Sequence, residues 1–273
     1  MRLLAGAGFY GSEKAFAEPQ WSRRAGYALL GELHIPGRLR IWHVIKELRR
    51  LGLWDDRPRK VLDAGGGEGA FAYYLARRFP SWTVVVADIE EETLERGRRM
   101  RDALGLQNLQ LRRQDLLQLA DDSAYDLIIC SDVLEHVLDD RTMAARLAGA
   151  LAKGGVVIFT SPSVPQPRHL ALVRWRERRI GFRPEHYGHV RDGYSADGMR
   201  QLMEESGLVP ERVRYTFGRC GTLMFDLFFA TGDSRPNPLV YAALFPLYIG
   251  LSALDVALPA RHGAAVLAVG RKP

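Results

Sequence analysis

The chain has 273 residues, of which 47% are hydrophobic and 26% are charged, and its formal net charge is +6. This composition excludes a disordered or fibrous chain, and the length is enough for a large domain with a sizeable hydrophobic core. The excess of positive charge favours an anionic partner, which could be nucleic acid, phospholipid headgroups or an acidic metabolite.

Two features bear on the compartment. The only cysteines are Cys130 and Cys220, and Cys130 lies within an apolar, strand-like run, which argues against a disulfide framework. The N-terminal sequence MRLLAGAGFYGSEKAF has too short an apolar run for a secretory signal peptide. We therefore predict a cytoplasmic protein.

The hydrophobic pattern divides the chain near residue 58. Residues 1–57 are predicted to form a helical lid over the site of the domain that follows, 58–273. In that domain short apolar runs alternate with longer amphipathic ones. We predict strands over 59–66, 82–89, 109–116, 125–132, 154–162, 208–218 and 264–272, and helices over 69–79, 90–104, 140–152 and 195–207. The alternation predicts an α/β fold with a doubly wound, mostly parallel sheet.

Two insertions interrupt this alternation, at about 163–194 and 218–262. The first contains RHLALVRWRERRIGFR, in which basic residues mix with apolar ones at helical spacing. It predicts an amphipathic surface helix whose basic face is either solvated or turned toward an anion or a membrane. The second contains an apolar run at 239–258, long enough to span a bilayer but interrupted by Pro246, Ser252 and Asp255.

Three interpretations of that second insertion stay open. It could be a transmembrane helix, although a single span between two strands of one sheet is topologically awkward. It could be a helical pair packed on the domain or on a second subunit. It could also be a helical hairpin that dips into a membrane or receives an apolar substrate.

A glycine-rich turn, VLDAGGGEGAFA, follows the first predicted strand. Gly65, Gly67 and Gly69 let the backbone turn sharply and approach a ligand closely, but this pattern alone also fits dinucleotide-binding proteins. Asp63 precedes the turn, where an acid can hold a cationic or amino-bearing ligand. Asp88 ends the second strand, where a carboxylate can accept both ribose hydroxyls.

Together with Asp115 at the end of the third strand, these residues resemble the class I S-adenosylmethionine-dependent methyltransferases. The resemblance covers about 60–217, includes LAKGGVVIF, and returns at the last strand. It implies a Rossmann-like, seven-stranded sheet with an antiparallel last strand, and S-adenosylmethionine as cofactor. By this resemblance the cofactor-binding residues are Asp63, Gly65, Gly67, Gly69, Asp88, Ile89, Asp115, Leu116 and Ser131. In HIPGRLR, within the predicted lid, His34 and Arg38 are further candidates for the methionine carboxylate; the alternative for this segment is a surface loop.

The stretch SDVLEHVLDD follows the fourth strand and places Asp132, Glu135 and His136 at spacings of three and four, on one side of a helix if the chain is helical there. Ubiquinone-pathway O-methyltransferases and small-RNA 2′-O-methyltransferases resemble it here, with an acid-x-x-Glu-His run that holds a divalent ion. The first acid of this chain is the shorter Asp. We therefore expect no metal, and expect Asp132 and Glu135 to line the pocket and cap the next helix.

Methyl transfer to a hydroxyl requires alignment and removal of a proton. We predict His136 and His189 as catalytic residues. His189 lies in EHYGHVRDGYS, where the other candidates are His186, Tyr187 and Tyr194.

The resemblance and the apolar insertion predict a methyltransferase acting on a hydrophobic small molecule, such as a quinone, isoprenoid, lipid or natural product, through O-methylation. Peripheral contact with the inner membrane face and a homodimer are further expectations. The alternatives are an RNA or protein methyltransferase, and an inactive partner subunit that dimerises. Nucleic acid is disfavoured as a partner because the chain lacks a separate RNA-binding module and has SDVLEH where amino-directed enzymes of this fold have Asn/Asp-Pro-Pro-aromatic.

Overall fold

The computed structural model describes residues 10–16, 18–180, 188–231 and 237–273. Two of the residues considered for catalysis, His186 and Tyr187, lie outside the described residues. Of the first predicted insertion, the described part is therefore the segment up to residue 180 and the segment from residue 188 onward.

A seven-stranded sheet forms the centre of the molecule, with strand order β3-β2-β1-β4-β5-β7-β6. The first five strands pair in parallel, whereas β7 is antiparallel to both β5 and β6. The strands are β1 (Lys60–Ala64), β2 (Thr83–Asp88), β3 (Leu109–Arg113), β4 (Tyr125–Ser131), β5 (Leu151–Pro162), β6 (Val209–Thr216) and β7 (Ala265–Arg271). The predicted doubly wound, mostly parallel sheet with an antiparallel last strand is confirmed.

Helices cover both faces of the sheet, which explains why its central strands are apolar without alternation. In β4, Leu127 and Ile129 belong to one buried cluster, while Ile128 belongs to the cluster on the other face. The connecting helices are α3 (Ala70–Arg78), α4 (Glu91–Leu104), α5 (Asp140–Ala150) and α7 (Ala196–Glu205). Ser195 caps α7, as the sequence predicts, because its side chain accepts the N–H of Gly198 at 3.0 Å.

The N-terminal region is helical in its described part. A 3-10 turn, Ser12–Phe16, precedes α1 (Trp21–Leu30) and α2 (Ile35–Arg50). The ring of His34 caps α2 by accepting the N–H of Gly37 at 3.2 Å, and the apolar face of α2 is fully buried in the core beside the sheet.

The insertions add α6 (Ala171–Ile180), α8 (Arg219–Ala230) and α9 (Pro238–Ala257). Helices α8 and α9 form a pair that also packs on α2. Asp255, which interrupts the apolar run, is buried: its carboxylate lies 3.0 Å from His43 Nε2 and accepts the N–H of Gly221 at 2.8 Å. The insertion is therefore a helical pair packed on the domain, and its role toward a membrane or an apolar substrate stays a prediction. Residues 239–257 nonetheless have the length and hydropathy of a membrane-spanning helix, with 22% of that stretch buried.

Candidate active site

The glycine-rich turn joins β1 to α3 and leaves no room for a side chain at Gly65 or Gly66. Gly65 has a φ of 70°, and a Cβ there would lie 2.5 Å from a methyl group of Val133. A Cβ on Gly66 would lie 2.7 Å from the carboxyl group of Asp63. Gly69, with a φ of 83°, stands at the N-cap of α3. The turn therefore presents bare backbone, as a loop that wraps a ligand requires.

Asp63 lies beneath this turn and is only 5% exposed. Burial, reinforced by the negative charge of Asp88, raises the pKa of the Asp63 carboxyl group to about 7. Among the described residues no cation forms an ion pair with it. A buried acid with a raised pKa at the edge of a cradle is suited to a positively charged ligand group, such as the amino group of S-adenosylmethionine.

The remaining residues predicted to bind the cofactor lie at the carboxyl ends of β2 and β3, where a doubly wound sheet binds its ligand. The Asp88 carboxylate accepts the N–H of Gly67 at 2.8 Å and that of Glu90 at 2.9 Å, which fixes its orientation beside the turn. Ile89 is 58% exposed next to it. Asp115 accepts the N–H of Leu117 at 2.9 Å, and Leu116 is buried. The structure thus brings these residues to one edge, and their contacts with the cofactor stay predictions.

At the end of β4 a chain of polar contacts crosses to α2. Ser131 Oγ lies 2.8 Å from Thr160 Oγ1, which donates to Asp132 Oδ1 at 3.0 Å. The other oxygen of Asp132 pairs with Arg40. The sequence analysis did not find Arg40 or Thr160. Arg40 lies on α2, in the predicted lid, and Thr160 lies on β5, so neither belongs to a motif near Asp132 in the sequence.

The arginine proposed from sequence, Arg38, has a different environment. It is buried, donates to the carbonyl oxygen of Leu30, and lies over the rings of Trp42 and Phe245 at 5.9 and 5.5 Å. Residues two apart in a helix point to different sides, so Arg38 and Arg40 contact different parts of the protein. His34, the other candidate, lines the cavity described below.

The stretch after β4 is not an α-helix, and the expected helix cap is wrong. Residues 134–136 form a short 3-10 turn, and Asp132 has a φ of 53°, which turns the chain sharply. Helix α5 begins later, at Asp140, and Asp139 caps it by accepting the N–H of Thr142 at 3.0 Å. Asp132 and Glu135 therefore do not cap the next helix.

Glu135 is fully buried behind the polar chain. One of its oxygens accepts the hydroxyl of Ser161 at 3.0 Å, while Oε1 has no hydrogen-bond partner within the described part of the chain. Burial, and then the charge of Asp132, raise the pKa of Glu135 to about 8. Its carboxyl group is therefore mainly protonated at neutral pH.

The two histidines predicted to be catalytic lie against each other, with ring centres 4.6 Å apart and planes at 89°. His136 is exposed, and its Nδ1 lies 3.1 Å from the carbonyl oxygen of Gly188. A carbonyl can only accept, so that nitrogen carries the proton and Nε2 is left as the acceptor. Burial, and then the nearby His136, lower the pKa of His189, which favours its neutral form at pH 7.

Potential ligand atoms of Glu135, His136 and His189 lie within 4.8 Å of one another. Two imidazoles and one carboxyl group are a donor set that suits a transition metal rather than magnesium. The set considered from sequence contained Asp132 instead of His189, but Asp132 is paired with Arg40. The expectation that the protein uses no metal stays a prediction.

Tyr194, the third alternative, is nine-tenths buried and takes part in a structural contact. Its hydroxyl donates to the carboxylate of Asp140 and accepts from Arg191 at 2.6 Å. These contacts tie the loop before α7 to the start of α5.

A cavity of about 1030 Å³ opens beside the ends of β4 and β5, between α2 and the insertion helices. Phe217, Phe225 and Phe229 form its aromatic part, and Asp132 and His189 lie in its wall. This places a proton acceptor and an ion-paired acid next to an apolar space. His136 is not part of the lining.

The comparisons with known proteins agree with the fold. A family model described as a methyltransferase domain matches residues 37–213. The ubiquinone biosynthesis O-methyltransferase of Neisseria meningitidis is 27% identical over 155 residues, 55% of this chain and 64% of that protein. The tRNA 5-carboxymethoxyuridine methyltransferase of Escherichia coli is 32% identical over 125 residues, 41% of this chain and 47% of that protein. The match thus spans about half to two-thirds of these relatives.

Solved structures show the same fold at low identity. Phosphoethanolamine N-methyltransferase 2 of Haemonchus contortus, in complex with S-adenosyl-L-methionine, has a TM-score of 0.56 at 15% identity, over 84% of this chain and 52% of that one. The [4+2]-cyclase SpnF has a TM-score of 0.55 at 16% identity, over 80% of this chain and 76% of that one. The fold therefore hosts more than one reaction. By its matched domain, its sheet and its glycine turn, the chain belongs to the class I S-adenosylmethionine-dependent methyltransferases.

Proposed function

We propose that this protein transfers a methyl group from S-adenosylmethionine to a hydroxyl of a hydrophobic small molecule, such as a quinone, isoprenoid, lipid or natural product. The observation that carries the proposal is the aromatic cavity beside the ends of β4 and β5, with His189 in its wall. A pocket of about this size, with aromatic side chains in one part of its lining and polar groups in the rest, is typical of small-molecule sites.

The residues present fit the cofactor. The bare glycine turn, the buried Asp63 and the fixed carboxylate of Asp88 would hold its amino acid and ribose parts. When bound, S-adenosylmethionine supplies a methyl group activated by a positively charged sulfur. The acceptor would lie against the aromatic lining, and His189, neutral at pH 7, would take the hydroxyl proton. Asp132 would be held in place by Arg40 and Thr160.

The similarity to ubiquinone biosynthesis O-methyltransferases supports a hydroxyl acceptor. The similarity to a tRNA methyltransferase, together with the net charge of +6, keeps an RNA acceptor as the second candidate. Family membership favours an active enzyme over the inactive partner subunit.

The test is incubation of the purified protein with methyl-labelled S-adenosylmethionine and a cell extract, followed by partition. We expect enzyme-dependent label in the organic-solvent layer. Label in the RNA or protein pellet would overturn the small-molecule proposal. A variant in which Phe225 is replaced by Ala should reduce the organic label, since it removes part of the aromatic lining.

We further propose that the enzyme meets its acceptor at an anionic membrane surface, through an apolar face of α9. Leu239, Leu247 and Leu254 are 81%, 46% and 52% exposed on this helix, and its one charged residue, Asp255, is buried. The segment that joins α1 to α2 lies beside α9, because the hydroxyl of Tyr241 donates to the carbonyl oxygen of Leu33.

Charge complementarity favours a lipid surface over a second copy of the chain. Helix α1 carries exposed Arg23 and Arg24 next to Trp21, which is 80% exposed. Exposed basic and aromatic side chains on a helix are typical of interfacial helices, so α1 would add to the membrane contact made by α9.

Sedimentation with vesicles of phosphatidylcholine, with and without phosphatidylglycerol, tests this contact. We expect binding to the vesicles that contain phosphatidylglycerol, and its loss in Leu239→Asp. The matched control is Leu138→Asp, since Leu138 is equally exposed, at 80%, but lies between β4 and α5. A concentration-dependent dimer that Leu239→Asp dissolves, without vesicle binding, would contradict the membrane proposal.

A further inference from the structure

One wall of the cavity is basic. Arg174 and Arg178 both line it, and they lie four residues apart on α6, so they share one side of that helix. The same cavity has the three phenylalanines of its aromatic part. The space is therefore amphiphilic, with aromatic rings at one side and two guanidinium groups at another.

The acids of the cavity are mostly engaged elsewhere. Asp132 pairs with Arg40, and Glu177 accepts from Arg168 Nε at 2.7 Å. Within the residues that the structure describes, no carboxylate lies at ion-pair distance from Arg174 or Arg178, and Asp192 is the remaining acid of the lining.

Counting only contacts with described residues, both guanidinium groups also keep spare donors. Arg174 donates from Nη1 to the carbonyl oxygen of Arg168 at 2.9 Å, and Arg178 donates from Nε to that of Arg174 at 3.3 Å. A guanidinium group has five N–H bonds, so each contact leaves most of them for another partner. The carbonyl contacts also orient the two side chains along the wall, which lowers the entropy lost on binding.

We propose that the acceptor carries an oxyanion, a carboxylate or a phosphate, which Arg174 and Arg178 bind while its apolar body lies against Phe217, Phe225 and Phe229. Paired arginines match the geometry of such groups through charge-assisted hydrogen bonds. This inference rests on the proposed function in one respect, the assignment of the cavity as the acceptor site. It adds the substrate class: an amphiphile with an acidic group, held at its charged end by α6.

The experiment measures binding of two probes that differ only in charge, naphthoate and its uncharged isostere naphthamide. Calorimetry or fluorescence anisotropy is done with the full chain in the presence of S-adenosylhomocysteine. We expect wild type to bind naphthoate about tenfold or more tightly than naphthamide. The double variant Arg174→Gln/Arg178→Gln should lose this preference and keep its affinity for naphthamide. Phe225→Ala should weaken both probes alike.

The control is Arg179→Gln, an exposed arginine of α6 that is not part of the cavity lining. It should keep the preference for naphthoate. Equal binding of both probes by wild type would overturn the proposal. So would a loss of the naphthoate preference in Arg179→Gln as large as that in the double variant.

A second arm separates an anion on the acceptor from a phospholipid headgroup. If the double variant loses binding to phosphatidylglycerol vesicles yet still prefers naphthoate, the two arginines bind lipid headgroups and the proposal is wrong. The probe measurement does not depend on which acceptor is methylated. A naphthoate preference that needs the two arginines therefore supports the anion site even if the label of the transfer assay appears in RNA, an outcome that would refute the small-molecule function alone.

Discussion

The two halves of the active site differ in how the chain builds them. The donor half, around the glycine turn, comes from the ends of three consecutive strands, β1 to β3, and its groups are held mainly by backbone N–H donors. The acceptor half draws on α2, on the ends of β4 and β5, and on two insertions far apart in the chain, and side-chain contacts such as Arg40 with Asp132 hold it.

The backbone of the fold determines the donor half, whereas the side chains of the inserted segments determine the acceptor half. A turn with no space for a Cβ at Gly65 and Gly66 has few alternatives. A cavity closed by inserted helices can change its occupant when a few side chains change. Substitutions in the donor half should therefore affect binding of S-adenosylmethionine, whereas those in the acceptor half should affect transfer and leave donor binding intact.

The largest effect is expected at His189. Replacing it with Ala should lower kcat by about 100-fold or more, because general bases contribute about that much to proton removal. Binding of S-adenosylhomocysteine should not change. His136→Ala should have a smaller effect, since His136 is outside the cavity lining, and the exposed His262 provides a neutral control. An equal loss of donor binding in His189→Ala would break the division into two halves.

Gly65→Ala should have the next largest effect, on the donor half. The new Cβ would meet Val133 at 2.5 Å, and the positive φ adds roughly 1–2 kcal/mol of strain. We expect affinity for S-adenosylhomocysteine to fall about tenfold or more. Gly105→Ala is the matched control: its φ is 66°, but a Cβ there meets nothing within 4 Å. If both variants bind the donor as wild type does, the turn is not the donor site.

Asp63→Asn should remove the pH dependence of the affinity for S-adenosylmethionine. The pKa of Asp63 in the folded, ligand-free protein is raised to about 7, so the acid ionises as pH rises through that value. A cationic ligand binds the ionised form better, and affinity for S-adenosylmethionine should rise by up to about tenfold per pH unit below that pKa. Calorimetry from about pH 6 to 8 measures this. The slope should vanish in Asp63→Asn and persist in Asp102→Asn, an exposed acid. A slope that Asp63→Asn retains would assign it to another group.

The smallest effect is expected from metal removal. In the metal-free protein the pKa of Glu135 is raised to about 8, so a metal would have to displace its proton at neutral pH, which weakens binding. EDTA should leave the transfer rate unchanged. If EDTA abolishes transfer and added Mn²⁺ restores it in wild type but not in Glu135→Gln, then Glu135, His136 and His189 hold a metal after all.

The sequence predicts the sheet well, and it places the candidate cofactor residues at the strand ends where the structure has them, because both depend on local signals. Apolar runs of strand length locate the strands, and Gly65, Asp63 and Asp88 follow strand ends directly, where the fold places ligand groups. Because the strands pair in parallel, their carboxyl ends lie at one edge of the sheet, and these residues are brought together there.

The acceptor half could not be predicted in the same way. Nothing in the pattern distinguishes Arg40 from Arg38 until the packing of α2 turns one toward Asp132 and the other toward Phe245. The spacing of Asp132 and Glu135 suggests a helix, but the positive φ of Asp132 breaks it. The place of α6 beside the cavity follows from its packing on α8, a contact between segments that are separated by residues 181–218 of the chain.

A crystal structure with bound S-adenosylhomocysteine would test the central claim most directly, namely that the glycine turn and the aromatic cavity are two sides of one reaction centre. We expect the ligand against Gly65 and Asp88, with its sulfur directed past Asp132 into the cavity that His189 lines. A ligand bound elsewhere, or one whose sulfur faces away from that cavity, would contradict the account.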